Sequence, residues 1–369
     1  MKILNINKND LKNNINIIKN VVIGKEKDDK GNKVQIIAVV KANAMGLGLV
    51  EFSKFLLKNG ITFLAVSTVE EAITLREAKI DCKILMLSPV SDKKDIENLL
   101  DNNIILTIGS LEELAILEEI LANRNQQAEV HLKIDTGLGR YGFLYDNTEI
   151  IDVFEKVKKV KITGTFTHFS KPIDEKWTRK QFNRFLDVVA GIKSFGYDPG
   201  LLHCSSTTAV LKYPEMKLNA VRVGSGFQGR TLIKGLSLKP VGVFKTSIEE
   251  IKNVPKGYNI SYSNSYKTKK EAKIAIIPVG YKDGLFMKKA RDSFSFKDNV
   301  IATLIEFKKI FKDNSVKVKI GDKEYKIIGR VGMYHSVIDI TGADIKVGDE
   351  VYINLPPLYV SDNIKREYN

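Results

Sequence analysis

The sequence predicts a two-part protein, a (β/α)8 barrel of the TIM type followed by a mainly β C-terminal domain. Three observations carry that prediction. Between residue 36 and about 235, eight short apolar runs alternate with amphipathic stretches, and repeated strand–helix alternation closes into a barrel of roughly 200 to 250 residues. Beyond Lys239 the pattern changes to period-two alternation broken by turn residues, the signature of strands with one buried face. Finally, the first run, Ile36-Ile37-Ala38-Val39-Val40, ends on Lys41. An unbroken β-branched run reads as a strand covered on both faces, and its carboxyl end is where such folds place their chemistry.

The eight runs are Ile36 to Lys41, Thr62 to Ser67, Lys83 to Leu87, Ile104 to Ile108, Glu129 to Asp135, Ile162 to Phe169, Leu201 to Ser205 and Ala220 to Gly224. The stretches between them are helical in pattern. The one ending at Ala78 begins beside Ser67 and Thr68, either of which can cap it. In the second half, Pro240 to Phe244, Lys273 to Val279, Val316 to Ile328 and Ser336 to Ile340 alternate as strands. The barrel is therefore assigned to residues 1–238 and the β-domain to 239–369, with the alternating segment within residues 1–8 available to pair with the latter.

Composition narrows the function. With 369 residues, 43% hydrophobic, the chain can build two cores. Its net charge of +14 comes from lysines interleaved with acids, without the cationic run and stacking aromatics of a nucleic-acid surface, so no nucleic-acid partner is expected. Only Cys82 and Cys204 occur, with no CxxC pair, and no apolar stretch reaches membrane-spanning length, which points to a cytoplasmic protein without a membrane partner. The four histidines lack metal-ligand spacing, so no metal site is expected.

At the carboxyl ends of the eight runs stand Lys41, Ser67, Ser88, Thr107, Asp135 with Arg140, His168, His203 with Ser205 to Thr207, and Arg222. An amine in a low-dielectric barrel mouth loses affinity for its proton and becomes a nucleophile toward carbonyls. After the seventh and eighth runs, Cys204 to Thr208 and Val223 to Phe227 supply hydroxyls and glycine-permitted backbone N–H groups, the chemistry of a phosphate cradle. A reactive lysine facing a phosphate cradle describes a pyridoxal 5'-phosphate site.

From Asn5 to about Asp349 the chain resembles the alanine racemases. The resemblance lies in Val40-Lys41-Ala42-Asn43-Ala44, the segment Lys133 to Arg140, Thr165 to Phe169, Val221 to Gly224, Ile260 to Tyr262, Pro278 to Gly284 (which includes Tyr281) and Gly329 to Met333. It implies a pyridoxal-phosphate enzyme acting on a small amino acid as a homodimer with shared sites. Lys41 is implied to hold the cofactor, with Tyr262 of the partner subunit as second acid/base. His168 is implied to link that tyrosine to Arg222, which faces the pyridine nitrogen. Thr207, Gly224 and Ser225 are implied phosphate contacts. Arg140 and the Met333 backbone are the implied carboxylate contacts, with Lys133 orienting Arg140 and Tyr281 in support.

The chain departs from the family at Met45, where a tyrosine usually contacts the phosphate, and at Tyr334-His335, where an aspartate usually follows methionine. The segment after Asp349 is short, leaving Tyr352 or Tyr359 to replace a second phosphate-binding tyrosine. These changes keep a racemase for serine or a larger amino acid as the alternative to alanine. A related barrel decarboxylase is disfavoured because it needs a cysteine in the second domain and none follows Cys204. A non-catalytic cofactor-binding regulator would leave the β-domain unexplained.

Overall fold

The computed structural model describes residues 1–24, 34–233, 235–287, 295–310 and 316–369. They form two compact units, Lys8–Val241 and, from both ends of the chain, Met1–Asn7 with Gly242–Asn369.

In the Lys8–Val241 unit, eight parallel strands lie side by side in the order Lys83–Met86, Phe63–Val66, Gln35–Val39, Ala220–Val223, Leu201–His203, Val160–Phe166, Ala128–Asp135 and Leu106–Ile108. The two outer strands meet through a parallel bridge between Leu85 and Ile105, with N–H to O=C bonds of 2.9 Å on either side of it, so the sheet closes into a barrel. The helices between strands start where short polar side chains accept orphan N–H groups. Thr68 forms a reciprocal capping box with Glu71, while Asp92, Ser110 and Asp174 cap three later helices.

The barrel interior is unevenly filled. Ile37, Phe63, Ala65, Leu85, Ile105 and Ala220 make an apolar cluster, the usual filling for this fold. Against it stand His131, Lys133, His203 and Arg222, all buried. Burying that many polar groups costs free energy unless each finds a partner, so this half of the interior is built for something other than stability.

The other unit is a nine-stranded sheet in which Ile3–Ile6 runs antiparallel to Val243–Ser247 and parallel to Lys365–Tyr368. Among the described residues an α-helix, Phe296–Ile310, interrupts this strand-rich half. Period-two reading does not anticipate it, and Phe296, Leu304 and Phe307 on it are exposed.

Candidate active site

Lys41 stands where the strand Gln35–Val39 gives way to an unusual turn. Ala42, Asn43, Ala44 and Met45 all take left-handed conformations, with φ of 52 to 54°. Each costs about 1–2 kcal/mol for an L-residue, and strain of this kind persists only where surrounding contacts overdetermine it. Here those contacts are visible. The Ala42 N–H donates to Glu71 Oε1 at 2.5 Å, the Leu49 N–H donates to Asn43 Oδ1 at 2.7 Å, and Gln228 Nε2 donates to the carbonyls of Ala44 and Met45 at 3.3 and 2.9 Å. Gly46 (φ 88°) then ends the turn, a job that needs the left-handed region.

The Lys41 side chain faces a cavity of about 430 Å³ at the carboxyl ends of the strands. Burial, and the charges of Arg140 and Arg222, hold its amine below the ordinary lysine range, with Glu71 pulling the other way. Thr207, Gly224 and Ser225 line the same cavity with Ser206 and Thr208. Thr207 Oγ1 accepts the backbone N–H groups of Gly224 and Gly226, both at 3.3 Å. A Cβ at Gly224 would lie 2.2 Å from Met45 Cε and 3.3 Å from the Val39 carbonyl, so the glycine lets turn and loop approach closely.

Arg222 is the hub of the polar interior. It donates to His203 Nδ1 and, at 3.0, 2.6 and 3.2 Å, to the carbonyls of His203, Thr167 and Cys204. Its Nη2 also meets His168 Nδ1 at 3.1 Å, and His203 Nε2 meets His131 Nδ1 at 2.9 Å. A guanidinium only donates, so the Nδ1 atoms of His168 and His203 are acceptors and each carries its proton on Nε2. Burial, and then the Arg222 charge, drive His168 and His203 well below the usual histidine range. His131 is pushed down to about 3, by burial first and then by Lys83 and Arg222. All three rings are therefore neutral at pH 7. Burial lowers Arg222 itself to about 10, which leaves it charged.

Lys133 lines the cavity beside Arg222, its Nζ 5.0 Å from the centre of the Phe166 ring. Burial, then the Arg222 and Arg140 charges, push its amine down to about 7, against the opposing pull of Asp135. Asp135 does not itself line the cavity. Its two carboxylate oxygens accept the backbone N–H groups of Gly137, Leu138, Gly139 and Arg140 at 2.8 to 3.0 Å, shaping the loop that presents Arg140 to the cavity. Gln181, fully buried, steadies the neighbouring loop by accepting the Ser170 N–H at 2.9 Å and donating to the His168 carbonyl at 3.5 Å.

Of the polar residues expected at the barrel mouth, Lys41, Ser67, Ser88, Arg140, His168, Ser206, Thr207 and Arg222 line the cavity, as does Lys133. Thr107, His203 and Ser205 do not. The Thr107 hydroxyl turns into the wall to donate to the Met86 carbonyl at 2.6 Å, and His203 stays inside the barrel beneath Arg222. Glu71 and Gln228 were not singled out by the sequence, since nothing in a local pattern marks a side chain as the brace of a distant turn.

Tyr262, Tyr281 and Met333 belong to the other unit, and there they come together. The Tyr281 and Lys282 N–H groups donate to the carbonyls of Gly332 and Met333, both at 3.1 Å. A Cβ on Gly332 would lie 3.6 Å from the Tyr262 ring. Tyr262 is 68% exposed and Met333 55%, so both are free of this unit's core. Non-glycine residues Ser261, Ser263 and Asn264 around Tyr262 all have positive φ, giving it a strained setting like that of Lys41. Of the two replacement tyrosines, Tyr352 uses its hydroxyl to donate to Glu350 at 2.5 Å. Tyr359 sits in the turn whose carbonyl approaches Gly284.

Family models describe the chain in two consecutive stretches: residues 6–231 match the alanine racemase N-terminal domain and residues 241–358 the alanine racemase C-terminal domain. The chain belongs to the alanine racemase family. An alanine racemase of Clostridium tetani is 35% identical over 350 residues, covering 92% of this chain and 82% of the relative. One from Methanococcus maripaludis is 31% identical over 353 residues, covering 93% and 86%. Among solved structures, an alanine racemase of Clostridium difficile superposes with a TM-score of 0.85 at 29% identity, covering 99% of this chain and 95% of that one. A Bacillus anthracis alanine racemase with bound L-Ala-P gives 0.82 at 26%, covering 99% and 94%. The family's cofactor, pyridoxal phosphate, fits the donor set here: a half-buried amine with a depressed proton affinity at one end of the cavity, and hydroxyls and a glycine-opened backbone at another.

Proposed function

We propose that this chain interconverts L- and D-alanine with pyridoxal 5'-phosphate by a two-base mechanism, acting in the cytoplasm as a homodimer with shared sites. The observation that carries the reading is the Lys41 amine facing Arg222 across one cavity, with Arg222 fixing the His168 tautomer. When bound, the cofactor withdraws electrons from the amino acid's α-carbon and so acidifies the α-proton.

Lys41 holds the cofactor and serves as base on one face of the α-carbon. Its lowered proton affinity suits it to take up and return a proton near neutrality. Tyr262 of the partner subunit serves the opposite face. The His168 Nε2–H, directed by the Arg222 bond at Nδ1, donates to the phenolate oxygen and relays the guanidinium charge to it. Arg222 would also hold the cofactor at its pyridine nitrogen. Because a guanidinium keeps its proton, Arg222 would not protonate that nitrogen, which would favour return of the proton over other fates of the substrate.

Arg140 clamps the substrate carboxylate in a bidentate pair, and the Met333 N–H of the partner subunit takes the second oxygen's remaining lone pair. Thr207, Gly224 and Ser225 bind the phosphate. Lys133, with an amine at about 7, is available for carbamylation, and the resulting carboxylate would orient Arg140. Tyr281 supports this edge through its bond to Gly332.

The decisive experiment is incubation of the cofactor-loaded protein with separate L-amino acids in deuterated water, followed by NMR at the α-position and chiral chromatography. Deuterated D-alanine is the expected product. Faster exchange with serine or a larger amino acid would move the substrate assignment. No exchange with any amino acid would defeat the enzymatic reading.

A further inference from the structure

Gln228 joins two parts of the site that arrive from opposite ends of the barrel sequence. It is 4% exposed and follows the loop that contains Gly224 and Ser225, and its own N–H donates to the Ser225 carbonyl at 3.1 Å. Its side-chain amide reaches the carbonyls of Ala44 and Met45, inside the left-handed turn that begins beside Lys41. Two donors on one amide thus tie the eighth loop to the first. The two sides of the turn are held separately, by Glu71 on the Ala42 N–H and by Asn43 on the Leu49 N–H. A Met45 side chain against Gly224 fills the gap beneath the tie. Nothing else about Gln228 requires a buried amide, since its backbone carbonyl is already engaged by the Val241 N–H at 2.9 Å.

We infer that Gln228 is a positioning residue that sets the spacing between the Lys41 amine and the phosphate loop at 224–226. The inference rests on the reading that these two features grip opposite ends of one cofactor. A ligand held at two points gains affinity from an effective concentration that depends on how well the points match its length. A ligand held at one point does not depend on the spacing. Gln228 therefore acts on cooperation between the two grips, not on either grip alone.

The test compares pyridoxal 5'-phosphate with pyridoxal, which lacks the phosphate, on cofactor-free wild-type protein and on Gln228→Met. Methionine keeps the length of the side chain and loses both donors. The expected result is a loss of pyridoxal phosphate affinity of about tenfold or more with pyridoxal binding changed less than about twofold. Equal weakening of both ligands, or no weakening of either, overturns the inference. Gln228→Glu, of the same shape but lacking the amide donor, gives the same pattern and serves if the methionine variant does not fold.

A second measurement needs no cofactor. Amide hydrogen exchange at Ala44 and Gly46, whose N–H groups bond to the carbonyls of Val40 and Ala42 within the turn, should accelerate in Gln228→Met; unchanged protection overturns the inference. If borohydride leaves no cofactor on Lys41 of the wild type, the reading of the site fails, while the exchange rates still decide whether Gln228 braces the turn.

Discussion

Arg222 Nη2 and His168 Nδ1 lie 3.1 Å apart, and since guanidinium only donates, that contact assigns the imidazole proton to Nε2. The same guanidinium donates to His203 Nδ1, whose Nε2 meets His131. One permanently charged group thus fixes two histidine tautomers. Replacing it by lysine keeps the charge but removes the planar fork. Arg222→Lys is expected to release the His168 tautomer, visible as exchange between the two imidazole nitrogens in 15N NMR. It should also cost about 1–3 kcal/mol for each carbonyl left unpaired.

Acid should weaken the fold through these histidines. Each has a folded proton affinity below its unfolded one, so the unfolded chain takes up protons first as the pH falls below about 6.5. Stability is therefore full above that pH and is lost below it, down to about 3 in the case of His131. His131→Gln is expected to flatten the pH dependence of the unfolding free energy, measured by urea titration, in this window by up to about 1.4 kcal/mol per pH unit. An unchanged slope would mean that His131 is charged in the native protein.

Lys133 acts in the alkaline range. Its folded value of about 7 against an ordinary 10.5 means that the unfolded chain holds the extra proton between them, so stability rises with pH from about 7 to about 10.5. The rise is on the order of a few kcal/mol. Lys133→Met should be more stable than wild type at pH 7 and show little of the rise. Measured denaturant curves at pH 7, 8.5 and 10 check both signs.

Asp135→Asn tests the loop that carries Arg140. An amide oxygen can accept some of the four N–H groups now shared by two charged oxygens, but without the charge that strengthens them. The expected outcome is a KM for the amino acid raised about tenfold or more with a smaller change in kcat, because substrate clamping is disturbed and the bases are not.

Gly164→Ala places a methyl 2.7 Å from the His131 ring, where real Cβ atoms do not sit. Overpacking of this kind costs about 1–3 kcal/mol. The variant should melt several degrees lower, and pairing it with His131→Ala should recover part of the loss.

All eight barrel strands were legible because continuous β-branched runs such as Ile36 to Val40 have few alternatives to a strand covered on both faces. That Lys41, Arg140, His168, Thr207, Arg222, Gly224 and Ser225 line one cavity was legible for a related reason, since the carboxyl ends of those strands point to one mouth. The bond chain from His131 through His203 to Arg222 and His168 was not, because it depends on barrel register, which puts three separate strands and a loop in contact. Ala42 to Met45 carries no glycine, so no residue in it announces a left-handed turn. The helix Phe296–Ile310 was hidden by the strand-like texture on both sides of it.

The strand Ile3–Ile6 is made before the whole barrel, yet the strands that flank it, Val243–Ser247 and Lys365–Tyr368, are made only after it. At ribosomal speeds of about 5–20 residues per second, more than ten seconds separate the first strand from either neighbour. Throughout that interval Ile3, Leu4 and Ile6, buried in the finished sheet, lack the strands that cover them there, while the barrel segment between is being made. The nascent chain thus carries a sticky, unpaired strand edge while the barrel is being made, a window in which chaperones or misassembly compete for it.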